Sequence, residues 1–360
     1  MSEFWRNKDI LITGANGFKG SWLSIWLNEL GANITGLSKN SHCESNILNI
    51  GTLNGRINHF YGDINDCDFV NSVIASANPD IIIHMAAQPL VLTSYLDPNG
   101  TLATNILGTS HLLNELHKLK KAGLKTKVFL NITTDKVYRN KEWLWGYRET
   151  DELGGLDPYS CSKSCAEMVT EMYANTFFNT VDMSLATARA GNVIGGGDWS
   201  DNRLVPDCIK SFLNNDDIGI RNPNSVRPWQ HVVEPLAGYL MLARSLYETP
   251  RQFDSWNFGS SHTHQVQEVT KILFNYWQPK VSQIGFSQSE YKESHLLKLD
   301  SQKAYQLLNW ENIFTIEEVV QHTVEWYLDY FNNEKSSFDI TLNQLKHFSS
   351  QFYQGTLTIK

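Results

Sequence analysis

The chain has 360 residues, with 41% hydrophobic and 19% charged residues and a net charge of −8. That size and composition fit one large or two modest globular domains with a substantial core. The acidic balance argues against a nucleic acid or an anionic membrane as the main partner, although a local arginine cluster can still receive an anionic small molecule. The N-terminus Met1–Arg6 lacks a basic-then-apolar signal pattern, and no apolar run approaches a membrane span, so the reading places the chain in the cytoplasm. Its five cysteines, at 43, 67, 161, 165 and 208, are scattered and imply no disulfide framework. Cys161 and Cys165 read as small buried residues. His262-Thr263-His264 reads as a loop, and no metal is expected.

Residues 8–13 read as a buried strand and 18–30 as a helix, with Trp22, Leu23, Trp26, Leu27 and Leu30 at helical spacing. The two tryptophans are expected in the core. Between these elements runs Thr13-Gly14-Ala15-Asn16-Gly17-Phe18-Lys19-Gly20. Gly14 suits the tight turn out of the strand, Gly17 the approach of a phosphate to the backbone, and Gly20 close packing of helix on sheet. The helix N-terminus then offers N–H groups and a favourable dipole to a pyrophosphate. Further strands are expected at Asn33–Leu37, Asn58–Tyr61, Asp80–His84 and Lys127–Thr133, with helices at 66–77, about 101–122, and from Pro158 past Met172. This alternation predicts an α/β fold, a doubly wound parallel sheet of Rossmann type. Ligands of such sheets lie beyond the carboxyl ends of the strands.

After residue 188 the alternation breaks into short segments punctuated by Gly191–Gly197, Asn222-Pro223 and Arg227-Pro228. A smaller, interleaved C-terminal substrate domain is expected at 191–228 and 251–332. The dinucleotide-binding domain then spans 1–190, with about 229–250 packing back on it, and 333–360 forms a peripheral tail.

Two groups of residues suggest chemistry. Tyr159 precedes Lys163 by four residues, which puts both on one helix face. A lysine and an oxidised nicotinamide together would favour the tyrosinate, so that Tyr159 takes a hydroxyl proton as hydride leaves the same carbon. At the end of the fifth strand stand Thr134, Asp135 and Lys136. Thr134 suits orientation of the reacting alcohol. An acid and a base beside it exceed what alcohol oxidation needs and suggest a second event, such as loss of water. Arg203, Arg221 and Arg227, with Asn192, make a basic group suited to a pyrophosphate.

These motifs resemble the extended short-chain dehydrogenase/reductase family and, within it, the nucleotide-sugar 4,6-dehydratases of the kind that acts on CDP-glucose. The resemblance spans about residues 4–330 and includes His84–Val91, Glu142–Glu149, Asp157–Lys163, Arg189–Trp199, Arg227–Val232 and Leu297–Asp300. Dehydratases acting on dTDP-glucose carry Glu where Lys136 stands. The resemblance implies the following roles. Tyr159 deprotonates the 4-hydroxyl, Lys163 holds the nicotinamide ribose, Lys136 removes the C5 proton or stabilises the enolate, and Asp135 protonates the departing 6-hydroxyl. The expected cofactor-binding set is Gly14, Asn16, Gly17, Phe18, Gly20, Asp63, Ile64, Ala86, Ala87, Asn105, Tyr159 and Lys163. The expected substrate-binding set is Gln88, Asn192, Arg203, Arg221, Arg227 and His295. NAD is the expected cofactor. The second strand ends Leu37-Ser38-Lys39-Asn40 without the usual carboxylate, which leaves NADP open. A homodimer or higher homo-oligomer is expected, through helices 101–122 and 159–177. A 4-epimerase on the same fold is the competing activity, and it would need only Tyr159, Lys163 and Thr134.

Overall fold

The computed structural model describes residues 2–39, 57–179, 182–279, 284–287, 295–332 and 335–356; Asn40 and Cys43 lie outside them. Seven strands form the central sheet: β1 (Asp9–Thr13), β2 (Asn33–Ser38), β3 (Ile57–Tyr61), β4 (Ile81–His84), β5 (Val128–Ile132), β6 (Ser184–Ala190) and β7 (Asp254–Phe258). Their order is β7-β6-β5-β4-β1-β2-β3, and every pairing is parallel. The chain runs outward one way through β2 and β3, then returns to β4 and runs the other way. The topological switch therefore falls between β1 and β4, where Thr13 pairs with His84.

Side chains alternate across this sheet with period two. Ile10 and Ile12 enter one core with Trp22, Leu130 and Leu236, whereas Leu11 enters the other with Val70, Ile82, Leu112 and Phe129. Burial on both faces explains why the central strands are nearly unbroken apolar runs. The helices that cover the faces include α1 (Phe18–Glu29), α2 (Cys67–Ala77), α3 (Gly108–Lys121) and α4 (Pro158–Phe177). Trp22 and Trp26 are buried core residues.

The expected 101–122 helix is built in three pieces. Pro98–Leu102 leads through a π-helical turn, Ala103–Leu107, into α3. The sheet also extends two strands beyond the expected alternation. Ser184–Ala190 has three alanines and Thr187 as its one β-branched residue, yet all seven of its residues are buried. Tertiary packing overrides weak strand propensity there.

Beyond β6 the chain forms α5 (Leu204–Asn214), α6 (Val233–Glu248), α7 (Val266–Trp277), α8 (Ile316–Asn332) and α9 (Ser337–Thr356). The α6 helix packs on β5 and β6. Three two-stranded pairs form outside the seven-stranded sheet: Asn192–Ile194 with Trp229–His231, Val226–Arg227 with His264–Gln265, and Ile218–Arg221 with Ile284–Ser287. The stretch after 333, expected to be peripheral, forms α9 and buries Ile340, Leu345 and Phe348 in the larger core. No helix among the described residues is long and apolar enough to cross a membrane. Cys161, expected to be buried, is exposed, and Cys165 is half-buried.

Candidate active site

A cleft of about 1050 Å³ opens over the carboxyl ends of the strands, between the sheet and the C-terminal segments. The glycine loop forms one wall. Gly14 has φ +72°, and a Cβ there would lie 2.8 Å from the Ala86 amide nitrogen. Only glycine lets β1 turn this close to the segment after β4. A Cβ on Gly20 would lie 2.1 Å from the Gly14 carbonyl oxygen, so Gly20 is what allows α1 to start beside the strand. Ser21 is the first α1 residue to find an intrahelical acceptor, the Gly17 carbonyl at 2.8 Å. The N–H groups of Phe18, Lys19 and Gly20 thus open the helix, and its first turn has no acidic residue. That end is ready for an anion.

Beneath the loop lies a link between β1 and β4 that the motifs did not reveal. Thr13 Oγ1 accepts from the Met85 and Ala86 amides, both at 3.1 Å, and lies 2.7 Å from His84 Nδ1. Thr109 donates to the Asn105 carbonyl, so its oxygen is left to accept from His84 Nε2 at 3.0 Å. These bonds assign the proton to Nε2 and leave Nδ1 to accept from Thr13. Burial, with the Lys163 charge nearby, lowers the His84 pKa to about 3, so this neutral tautomer is the resting form.

At the far end of the loop, the Asn16 amide donates to Ser38 Oγ at 3.2 Å, and its side chain donates to the Lys39 carbonyl at 3.0 Å. Gly17, Phe18, Ile64, Ala86 and Ala87 line the cleft. Asp63 does not. It pairs with Lys39 at 2.8 Å and accepts from the Asn65 amide at 2.9 Å, which hold its carboxyl below the ordinary value.

Asp157 caps α4 by accepting from the Ser160 amide at 2.9 Å, with Pro158 as the first helical residue. This start sets Tyr159 at the cleft and Lys163 one turn deeper. Lys163 is buried, and its ammonium donates to the Ile132 carbonyl at 2.9 Å. Burial lowers its pKa to about 8. Burial dominates and pushes the Tyr159 pKa up to about 12, while Arg203 and the Thr134 hydroxyl pull the other way. Lys163 is directed at β5 rather than at the phenol.

Thr134 and Lys136 line the same cleft. Thr134 donates to Asp135 Oδ1 at 3.0 Å, and the Lys136 ammonium stands 3.9 Å from that oxygen. Asp135 is 1% exposed, and its Oδ2 is buried with no hydrogen-bond partner. An unpartnered buried carboxylate oxygen costs stability and marks a place where a ligand hydroxyl can bind.

Asn105 and Gln88 do not line the cleft. Asn105 Oδ1 accepts from the Gln88 amide at 2.8 Å, while its Nδ2 donates to the Gln88 carbonyl and to Ser162 Oγ, at 3.1 and 2.8 Å. The Gln88 side chain donates to Thr101 Oγ1 and the Leu90 carbonyl and accepts from the Leu90 amide. Both residues act as struts that tie the segment after β4 to α4. The π-helical turn at Ala103–Leu107 aims Asn105 inward.

A second strut lies under β5. Arg189 forks onto Glu167, donates to Tyr138 Oη at 2.6 Å, and is 2% exposed. Glu167 also accepts from Thr133 Oγ1, the residue before Thr134. This buried pair fixes the strand end that carries the chemistry.

Asn192, Arg203, Arg221 and Arg227 line the opposite wall. Arg203 pairs with Asp198 at 3.1 Å, and Arg221 donates to the Asn202 carbonyl at 3.1 Å. Arg227 donates to the His295 carbonyl at 3.1 Å. His295 therefore contributes its backbone, and its exposed side chain is not part of the cleft lining. Among the described residues no cluster of three or more His, Cys, Asp or Glu could hold a metal.

The profile of the GDP-mannose 4,6 dehydratase family matches residues 11–323. The chain belongs to this family. A CDP-glucose 4,6-dehydratase of Salmonella typhimurium is 42% identical over 92% of this chain and 94% of that protein. Among solved structures, the UDP-glucose 4-epimerase of Thermotoga maritima with UDP-glucose has a TM-score of 0.77 and 22% identity, covering 89% of this chain and 99% of that one. The dTDP-glucose 4,6-dehydratase of Bacillus anthracis in complex with NAD has a TM-score of 0.75 and 22% identity, covering 90% and 97%. At this identity the two structures establish the shared fold.

Proposed function

We propose that the chain is an NAD-dependent hydro-lyase that converts CDP-D-glucose to CDP-4-dehydro-6-deoxy-D-glucose. The observation that carries this reading is the buried, unpartnered Asp135 Oδ2, which lies just behind the cleft wall formed by Thr134, Lys136 and Tyr159 and does not itself line the cleft. A 4-epimerase needs no such acid. The 42% identical relative supports CDP-glucose as substrate.

The cleft suits a dinucleotide. The N-terminus of α1 would meet the diphosphate, Gly14 and Ala86 the chain beside it, and Lys163 the nicotinamide ribose. NAD, when bound, would supply the hydride acceptor for C4 and the hydride donor for C6. Tyr159 takes the proton of the 4-hydroxyl, and Thr134 orients that hydroxyl. The 4-ketone acidifies the C5 proton, which Lys136 removes. Asp135 donates a proton to the 6-hydroxyl as it leaves as water. Lys136 returns a proton to C5, and the cycle closes with no net redox change. NAD rather than NADP is favoured because the reaction recycles its own cofactor, and Lys39, the cation nearest the end of the second strand, pairs with Asp63.

The same reading takes the chain as a cytoplasmic homodimer. Leu107, Met168, Met172 and Phe177 are exposed on the π-helical turn and on α4, an apolar face suited to a second copy. A single-chain mass by light scattering would contradict this. The activity is tested by incubation with CDP-, dTDP-, UDP- and GDP-glucose without added reductant. A 4-keto-6-deoxy product from CDP-glucose is expected. A 4-epimer, or turnover of another nucleotide's glucose alone, would overturn the proposal.

A further inference from the structure

The reaction as described gives no task to the charged cleft residue Lys19. Lys19 is the second residue of α1 and lines the cleft, and its ammonium has no hydrogen bond or ion pair among the described residues. Its charged neighbours are Arg203, Lys163, Asp135 and Asp198. Both carboxylates have nearer partners: Asp198 pairs with Arg203 at 3.1 Å, and Asp135 accepts from Thr134 at 3.0 Å. Lys163 is directed to the Ile132 carbonyl. Lys19, Lys163 and Arg203 thus stand together in the cleft of a chain whose net charge is −8.

An unpaired ammonium in a confined site is unfavourable. Burial and the neighbouring cations lower the Lys19 pKa to about 8, a sign of that strain. An anion would relieve it. The N–H groups of Phe18 and Gly20, in a first turn without acidic residues, favour an anion at the same place. The aliphatic stem of Lys19 offers no alternative explanation for the charge at its tip.

We infer that Lys19 is a phosphate-binding residue, its ammonium donating to a phosphoryl oxygen of a diphosphate held between the glycine loop and Arg203. Two bound molecules carry that chemistry, the dinucleotide and the nucleotide sugar. Lys19 lines the same cleft as Lys163, assigned above to the nicotinamide ribose, and Arg203, on the substrate wall.

The inference rests on the function proposed above, so wild-type turnover of nucleotide sugars tests that reading separately. For Lys19, the full chain and its Lys19→Met and Lys19→Arg variants are titrated with NAD, CDP and cytidine, and thermal unfolding confirms folding. Methionine keeps the stem and removes the charge. Loss of a charged hydrogen bond predicts a weakening of about 10- to 100-fold in Lys19→Met, with substantial recovery in Lys19→Arg. Weakening confined to NAD assigns the dinucleotide phosphate, and weakening confined to CDP assigns the substrate phosphate. Weakening of both assigns a shared position. Cytidine, which has no phosphate, should bind the variants and wild type alike. If CDP fails to bind wild type but UDP binds, the base assignment falls, and the same comparison runs with UDP and uridine. Unchanged affinity for both diphosphates in Lys19→Met would overturn the inference, as would equal losses for CDP and cytidine.

Discussion

Tyr159→Phe is expected to lower kcat by about 10²–10⁴-fold, the usual range for one acid–base group. Substrate and NAD affinities should stay near wild type. The phenylalanine keeps the ring in the cleft wall, and the Tyr159 backbone bond to Ser94 Oγ, at 3.2 Å, does not involve the phenol. What disappears is the oxygen that receives the 4-hydroxyl proton. In the unliganded chain burial raises the Tyr159 pKa to about 12, with Arg203 and Thr134 acting against it. The positive charge of oxidised nicotinamide, once bound, adds to that opposing set. A base must lose its proton to act, so kcat/KM at saturating NAD should rise with pH on its acid limb, and that limb should vanish in the variant. Single-turnover mixing with CDP-glucose should show no reduced nicotinamide. Reduced cofactor forming at the wild-type rate would remove Tyr159 from the first step.

Asp135→Asn is expected to separate the two halves of the cycle. Asparagine nearly matches the carboxylate in shape, and its carbonyl can still accept from Thr134, so the β5 end should keep its geometry. It cannot supply a carboxylic proton to a departing hydroxyl. Oxidation at C4 should proceed while elimination stalls, again with a loss of about 10²–10⁴-fold in turnover. Reduced nicotinamide should accumulate, and the C5 hydrogen should exchange with solvent without product forming. The opposite behaviour of the two variants is diagnostic, because general damage to the site would suppress both signals. Wild-type turnover of Asp135→Asn would show that another group is the acid.

The parts of this site legible in the sequence depend on local geometry. Gly14 and Gly20 stand where a Cβ would strike backbone, at 2.8 and 2.1 Å, so their spacing carries the turn directly. Tyr159 and Lys163 share a helix face because they are four residues apart. Thr134-Asp135-Lys136 sits at a strand's carboxyl end because the apolar run before it ends there. Long-range pairing was not legible. Arg189 lies among small residues in Ser184–Ala190, and nothing local reveals that it forks onto Glu167, 22 positions earlier, and so braces Thr133. The sequence placed Lys163 beside Tyr159 but could not show its ammonium directed to Ile132, or burial outweighing it at the phenol. Asn105, Gln88 and His295 stand near the site, yet they brace it through other residues. Lys19 received no role beyond its place in the glycine loop, because its lack of a partner among the described residues is a property of the assembled cleft.

The claim at the centre of this account is that one hydride leaves C4 and returns to C6 of the same sugar. CDP-glucose carrying deuterium at C4 tests it most directly, with the product analysed by NMR and mass spectrometry after incubation without added reductant. The account predicts deuterium in the C6 methyl group, a ketone at C4 and a solvent-derived hydrogen at C5. Deuterium retained at C4 of an epimer, or lost to solvent while C6 acquires an unlabelled hydride, would contradict it.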